Sequence, residues 1–501
     1  MDDGRDSTPP INRLPPELLT RIFLLLNQEA SSEQSIKKDP LPACFLLSHV
    51  CQSWRDLALA CSELWADTGY FFAPALGTLM LSRSRNAPLT VRFAAMFSTP
   101  EDLVPCQMAL AQVDRVREIE IVDVIPFGRP IISVLWPSDF RGNFPILESL
   151  DITRRERRSP KPPFHARAFG GSGFHAFLRE LDLWGFLPLD DGPHTPTFLQ
   201  ALRDLSLHDT ADTISTFLRA IQIPDSANVN VRIDEPVETA LTIGQLLSDV
   251  KFALRNPETK SPPEFSPLQL RRLVFSVEPQ SIYCNTASLK IEGWIEMGNI
   301  KDQLITLAFP YSQTMDSTET ASKVGEHLDL SVLQDVSLLN WYETLSGNEW
   351  ISLFKNLETL KTIAIAHPSA YRGLLDVLCE KTAGLTLGDS STTKPSSHSK
   401  PYFPSLSTLK LKNANFERGG QMSAEMVANL QDRSKSCPLA ELRLERCKNI
   451  ERVHFETIRR AKIPGLEVSW DEVENLDVDW DTDTDTDTDA EFDSESDWED
   501  E

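Results

Sequence analysis

Apolar residues recur in two different rhythms along this chain. Between residues 11 and 65 the spacing is helical: Leu18, Ile22 and Leu26 stand at i, i+4 and i+8, with Leu19 and Phe23 widening the stripe. Pro15 and Pro16 suit a first helical turn, where a missing N–H costs little, and Glu17 sits where the helix dipole favours an acid. A second apolar segment, Phe45 to Cys51, runs into a third that carries Trp54, Leu57, Cys61, Leu64 and Trp65. The pattern predicts three short helices. So short a stretch cannot enclose that many large apolar groups, and the surplus is expected to cover a partner or the rest of the chain.

Next come a helix-like stretch, Pro74 to Arg85, and an alternating one, Pro88 to Phe93, which reads as a strand. The rhythm then becomes a frame, apolar-x-x-apolar-x-apolar. It appears as Val116-Ile119-Ile121, Leu147-Leu150-Ile152, Leu178-Leu181-Leu183 and Leu202-Leu205-Leu207. It returns as Leu270-Leu273-Phe275, Leu304-Leu307-Phe309, Leu333-Val336-Leu338, Leu360-Ile363-Ile365, Leu406-Leu409-Leu411 and Leu439-Leu442-Leu444. Val229 to Ile233 is a more degenerate strand of the same set, and the steps between frames run from 24 to 68 residues. One frame is uninformative, but ten in order predict a leucine-rich-repeat solenoid: each contributes a short strand to a shared parallel sheet, and a helix or loop returns the chain. Thr213 to Ile221, Glu238 to Leu254 and Tyr371 to Glu380 read as return helices. The asparagine ladder of regular repeats is mostly missing, so the solenoid is expected to be irregular.

Charge changes the picture mainly at the end of the chain. Of the formal −25, 17 negative charges lie in residues 471–501, which hold no Lys or Arg, leaving −8 on the other 470 residues. That tail, with its DTDTDTDTD run, cannot bury enough apolar surface to fold and is expected to be disordered, as are residues 1–10. Its threonines, Ser494 and Ser496 precede acids, a spacing that suits acidophilic kinases, and a regulatory role is expected. Three readings stay open for the basic, proline-rich stretch Arg154 to Arg167: an intramolecular target of the tail, a nuclear import patch, or a solvated loop that contacts neither. Asn256 to Pro267 and Gly388 to Pro401 read as polar loops. The acidic balance argues against nucleic acid as a partner. Eight cysteines without a C-x-x-C pair fit reduced thiols, no apolar run approaches membrane-spanning length, and the start carries no leader pattern. An intracellular protein, cytoplasmic or nuclear, is expected.

Leu14-Pro15-Pro16-Glu17-Leu18-Leu19 followed by Ile22-Phe23, then Val50-Cys51-Gln52-Ser53-Trp54-Arg55 and Leu64-Trp65, resemble the opening, the second signature and the tail of the F-box. The helix-then-strand passage after them resembles the bridge found in the large fungal group of F-box proteins. The polar stretch Gln28 to Asp39 is longer than the usual helix connection. The resemblance implies a helical module that docks on the Skp-type adaptor of a cullin-RING ubiquitin ligase, through Leu14, Pro15, Leu18, Ile22, Phe23, Val50 and Trp54. The expected organisation is α/β: residues 1–10 disordered, a three-helix F-box at 11–72, a bridging helix and strand at 73–112, a degenerate repeat solenoid at 113–470, and the acidic tail at 471–501.

Motifs for chemistry are missing. There is no phosphate-loop, H-E-x-x-H or G-x-S-x-G pattern, and Gly170-Gly171-Ser172-Gly173 lacks the lysine that a phosphate loop needs. His165 with His175, and Asp190-Asp191 with His194, lack ligand spacing, and the Asp477-Asp479-Asp481 run lacks the glycine and glutamate of a calcium loop. No catalytic residue, metal or cofactor is expected. The expected role is that of a substrate receptor, bridging the adaptor to a protein substrate; the alternative is a scaffold that holds a protein partner without the ligase. Alternate strand residues face away from the core, so Glu180, Asp182, Trp184 and His208 are candidate substrate contacts, with Asp204, Ser206, Lys410, Lys412, Glu441 and Arg443 at equivalent positions.

Overall fold

The structure, a computed structural model, describes residues 10–32, 43–67, 74–94, 104–123, 144–154, 163–165, 177–185, 187–189, 196–224, 226–234, 240–254, 270–281, 284–297, 300–311, 317–328, 330–340, 345–354, 357–367, 371–379, 402–416 and 419–472. The N-terminal residues 1–9, most of the basic stretch, the Gly170–Gly173 punctuation, the two polar loops and the acidic tail beyond residue 472 lie outside these. So do His175, Asp190, Asp191 and His194. The protein is mixed α/β, with twelve α-helices among the described residues, none of them long and apolar enough to cross a membrane. Two compact units make it up, one of residues 1–340 and 352–360, the other of residues 341–351 and 361–501.

The first unit begins with helices α1 (Pro16–Ser32), α2 (Ala43–Ser48) and α3 (Gln52–Ala60), a 3-10 turn at Ser62–Trp65, and α4 (Pro74–Ser84). Strand β1 (Leu89–Ala94), helix α5 (Val104–Leu110) and strands β2 (Val116–Asp123), β3 (Ser149–Arg154), β4 (Pro163–His165), β5 (Glu180–Trp184), β6 (Leu187–Leu189), β7 (Thr197–Phe198) and β8 (Asp204–Asp209) follow. A helix at Ala211–Ala220 leads to β9 (Ile221–Gln222) and β10 (Asn228–Ile233), and a helix at Ala240–Ala253 to β11 (Arg272–Ser281), β12 (Cys284–Met297) and β13 (Ile300–Tyr311). A helix at Ser317–His327 and β14 (Asp335–Leu339) complete the set. The main sheet of this unit has the order β1-β2-β3-β5-β8-β10-β13-β12-β11-β14.

Its strands form where the frames lie. Leu150, Leu181, Leu183, Leu205 and Leu207 alternate inward and are almost fully buried, each contributing about 2 kcal/mol of apolar burial. The residue before each strand recurs as an anchor: the carbonyls of Glu148, Arg179 and Arg271 each accept two backbone N–H bonds from the next strand's start. Return helices pack from the inward side, and Arg219 of one bonds Asp249 of the next at 2.9 Å. The degenerate segment at Val229 is a full parallel strand between β8 and β13.

One expectation is overturned here. The frames at Leu270 and Leu304 do not follow one another in space: β13 lies beside β10, and β11 lies beside β14. Between them runs β12, antiparallel to both, which the frame pattern did not anticipate. The reason is its period of two: Leu289 and Ile291 are buried on one face while Lys290 and Glu292 pair at 2.9 Å on the other. A single hairpin strand thus interrupts a sheet that is otherwise parallel.

The second unit carries β15 (Thr362–Ala366), β16 (Thr408–Lys412), β17 (Glu441–Glu445) and β18 (Glu467–Trp470), all parallel and in chain order. Helices at Tyr371–Cys379, Gly419–Ser434 and Arg452–Arg460 alternate with them. Left-handed residues close the strands: Asn413 at φ 56° and Arg446 at φ 49° here, with Gly185 at φ 71° and Asn340 at φ 51° in the first unit. Asparagine and glycine tolerate this turn best. Phe403, also left-handed at φ 51°, is held by a buried cation: Arg433, 2% exposed, donates to the carbonyls of Tyr402 at 3.1 Å and Phe403 at 2.7 Å. Arg433→Met is therefore expected to cost this unit about 2–4 kcal/mol, because buried carbonyls lose charge-assisted donors. Denaturant titration of the variant measures it, and a loss below ~1 kcal/mol would show that the turn holds itself.

Candidate functional site

The helical module closes a core of its own. Phe23, Cys44, Leu47, Ala58, Leu64, Trp65 and Met80 form it, with Leu24, Phe45, Trp54 and Leu57 packed at its margin. Trp65 is fully enclosed: its Nε1 donates to the Ala58 carbonyl at 2.7 Å, the Phe45 ring meets it edge-on at 5.3 Å, and the Arg83 guanidinium lies 4.3 Å over it. Phe23 packs against Trp54 at 4.9 Å. Cys51 caps α3 by accepting the Trp54 N–H, and Arg55 Nε bonds the Ser48 carbonyl at 2.9 Å, closing the end of α2. Burial pushes the Cys44 thiol up to about 12, so it stays protonated.

What the core leaves outside is apolar. Leu18 is 50% exposed, Leu25 57%, Leu46 58% and Val50 59%, with Ile11 and Leu26 above 40%. Leu18, Ile22 and Leu25 stand at helical spacing on α1, and Leu46 and Val50 stand four residues apart. Of the seven residues named for docking, Leu18, Val50 and Pro15 are exposed, Leu14, Ile22 and Trp54 are half-buried, and Phe23 is enclosed. Phe23 therefore acts from inside the module, not on its surface. Leu25 and Leu46 were not singled out in the sequence; the unbroken run Ile22 to Leu26 was the available signal, since it is too wide for one buried stripe.

The module is tied to the sheet. The Thr90 N–H donates to the Ala66 carbonyl at 3.0 Å, and Arg92 of β1 bridges Asp67 at 2.6 Å and Glu120 of β2 at 3.0 Å. From Glu120 the parallel register carries a row of like charges across the outward face: Glu120 opposes Asp151, and Asp151 opposes Asp182. A second row, two residues earlier on each strand, holds Glu118, Ser149, Glu180 and Asp204. Thr90 and Arg117 donate to Glu118, Thr153 to Asp151, Ser149 to Glu180, and Asn228 to Asp204. Asp182 has no such donor among the described residues. Burial, then the Asp151 charge, push its carboxyl up to about 7.

Of the candidate substrate contacts, Glu180 is exposed, while Asp182, Trp184 and His208 are half-buried. Trp184 Nε1 donates to Asp234 at 3.2 Å, and its ring meets His208 edge-on at 4.7 Å. Burial and the Arg232 charge hold His208 down to about 4, against the pull of Asp234, so the ring is neutral at pH 7. In the second unit Lys412 and Arg443 are exposed, Lys410 and Glu441 are half-buried, and Arg443 pairs with Glu441.

Asp182 also predicts a pH dependence. Its raised value means that the folded chain holds a proton which the unfolded chain has already released, so this group's penalty grows as pH rises from about 4 to about 7. Asp182→Asn should melt above the wild type at pH above 7 and lose that advantage near pH 4, which thermal melts at both ends will check. A lower melting temperature at high pH would contradict it.

No protein-family model matches the chain, and no curated protein matches it.

Proposed function

We propose that the chain is a substrate receptor of a Skp–cullin–F-box ubiquitin ligase. The observation that carries this reading is the contrast within the helical module. Its core is closed around Phe23 and Trp65, yet Leu18, Leu25, Leu46 and Val50 are each at least half exposed. Four large apolar side chains left this exposed on a well-packed module support reading it as a surface for a partner. The motifs at Leu14–Phe23 and Val50–Arg55 indicate the adaptor as that partner. The parallel strands with buried leucine frames support reading the remainder as degenerate leucine-rich repeats that hold a protein substrate. The role places the protein in the cytoplasm or nucleus.

The mechanism is proximity. A receptor that binds adaptor at one end and substrate at the other raises the effective concentration of substrate lysines near the charged conjugating enzyme. The chain's own part is to hold geometry, and the Ala66–Thr90 and Asp67–Arg92 bonds that fix the module to β1 serve it. The test is reconstitution: full-length chain mixed with purified Skp-type adaptor, followed by size-exclusion chromatography. Co-elution as a stoichiometric complex is expected. Separate elution of a chain that is folded by circular dichroism would overturn the reading.

A further inference from the structure

We propose that the outward face of strands β2, β3, β5 and β8 docks an extended, arginine- and lysine-rich segment of a partner protein. The receptor reading bears only on why such a partner is held; the surface itself stands on geometry. Neighbouring strands lie about 5 Å apart, and alternate residues along a strand about 7 Å apart. The register therefore lays out two rows of carboxylates, Glu120-Asp151-Asp182 and Glu118-Glu180-Asp204, on four adjacent strands. No lysine or arginine occupies an outward position of these strands between the rows. Two cations sit at one margin: Arg92 is shared between Asp67 and Glu120, and Arg117 pairs with Glu118, which leaves Asp151, Asp182, Glu180 and Asp204 for a cation from outside.

Like charges directly opposite one another on paired strands destabilise the sheet, so a face built this way gains from a cation that arrives from outside. Charge complementarity selects the occupant. Phosphate backbones are repelled, and among the described residues no three acidic, histidine or cysteine side chains converge as a metal site would require. Guanidinium and ammonium groups spaced along an extended chain match the rows. At the far margin stands Trp184, half-buried, its Nε1 held by Asp234 and its ring against His208. The groups facing Asp182 are Asp151 and Glu120 on one side, Glu180 on its own strand, and Asp204 and His208 on the other, with Arg232 one strand beyond. Asp182 exchanges its proton near pH 7, so a bound cation displaces that proton and binding tightens as pH rises through this range.

The probe is a fluorescein-labelled peptide of alternating arginine and serine, titrated against the full chain at physiological salt. Asp151→Asn with Asp182→Asn should weaken it by at least about tenfold and flatten its pH dependence, while Asp483→Asn with Asp485→Asn in the tail should change it by less than about twofold. These asparagines relieve repulsion and should fold; Glu180→Gln with Asp204→Asn provides an independent pair of substitutions in the second row. Equal losses from face and tail variants, or no saturable binding to the wild type, would overturn the proposal. So would binding that tightens tenfold when Arg155, Arg157 and Arg158 are changed to serine, because the chain's own basic stretch would then be the occupant. Adaptor binding, measured in parallel, should be unchanged in every variant, which separates failure of this surface from failure of the receptor reading.

Discussion

Leu18→Asp combined with Val50→Asp is expected to weaken capture of a Skp-type adaptor by about a thousandfold while leaving the melting curve in place. Each side chain is at least half exposed, and each is a candidate anchor worth about 2 kcal/mol when buried by a partner. Neither fills the module's core, and surface substitutions of this kind usually change stability by no more than ~0.5 kcal/mol. Phe23→Ala supplies the contrast. That ring is fully buried, so its loss should lower stability and binding together. Wild-type affinity in the Leu18/Val50 variant would remove the helical face as the adaptor contact.

Trp65→Ala should destabilise the first unit by about 3–5 kcal/mol. The substitution empties the centre of the helical module and deletes the donor to the Ala58 carbonyl. Trp65→Phe keeps much of the packing and isolates the lost hydrogen bond, at about 1–3 kcal/mol. Since Ala66 and Asp67 pair with β1, the loosening should spread to Leu89–Ala94. Hydrogen exchange would register it as lost protection over residues 43–67 and 89–94, with residues 402–472 unchanged. Uniform loss across the whole chain would mean that the module and the second unit unfold as one.

Several features were legible in the sequence because local chemistry dictates them. Leucines at fixed intervals, as in Leu178-Leu181-Leu183, specify which strand face is inward without reference to the rest of the chain. Phe23 was harder to assign, since core residues and docking residues on a short amphipathic helix share both chemistry and spacing. Outward positions such as Glu180 and Asp182 were readable from alternation alone. Their alignment with Glu120 and Asp151 was not, because register is a property of strand pairing. The exchanged places of the Leu273 and Leu307 strands left no local trace either. Both carry the same frame, and only the alternation in Ser288–Glu292 hinted at a hairpin strand between them.

That exchange has a consequence for the growing chain. Strands β1 to β10 of the main sheet can join it in the order in which they leave the ribosome, each new one pairing with the last. The next to emerge, β11, belongs beside β14, and the open edge of β10 must wait until residue 311 is made. During that interval β11 is a wrong but plausible partner for β10: both run parallel in the final sheet, and both bear the same inward apolar pairs, Leu273 and Phe275 matching Val229 and Val231. Synthesis therefore passes through a window, between about residue 281 and residue 311, in which an unpaired edge is exposed and misregistration competes with waiting. Closure requires the hairpin to swing back, so the slowest step in assembling the first unit should fall late in its translation.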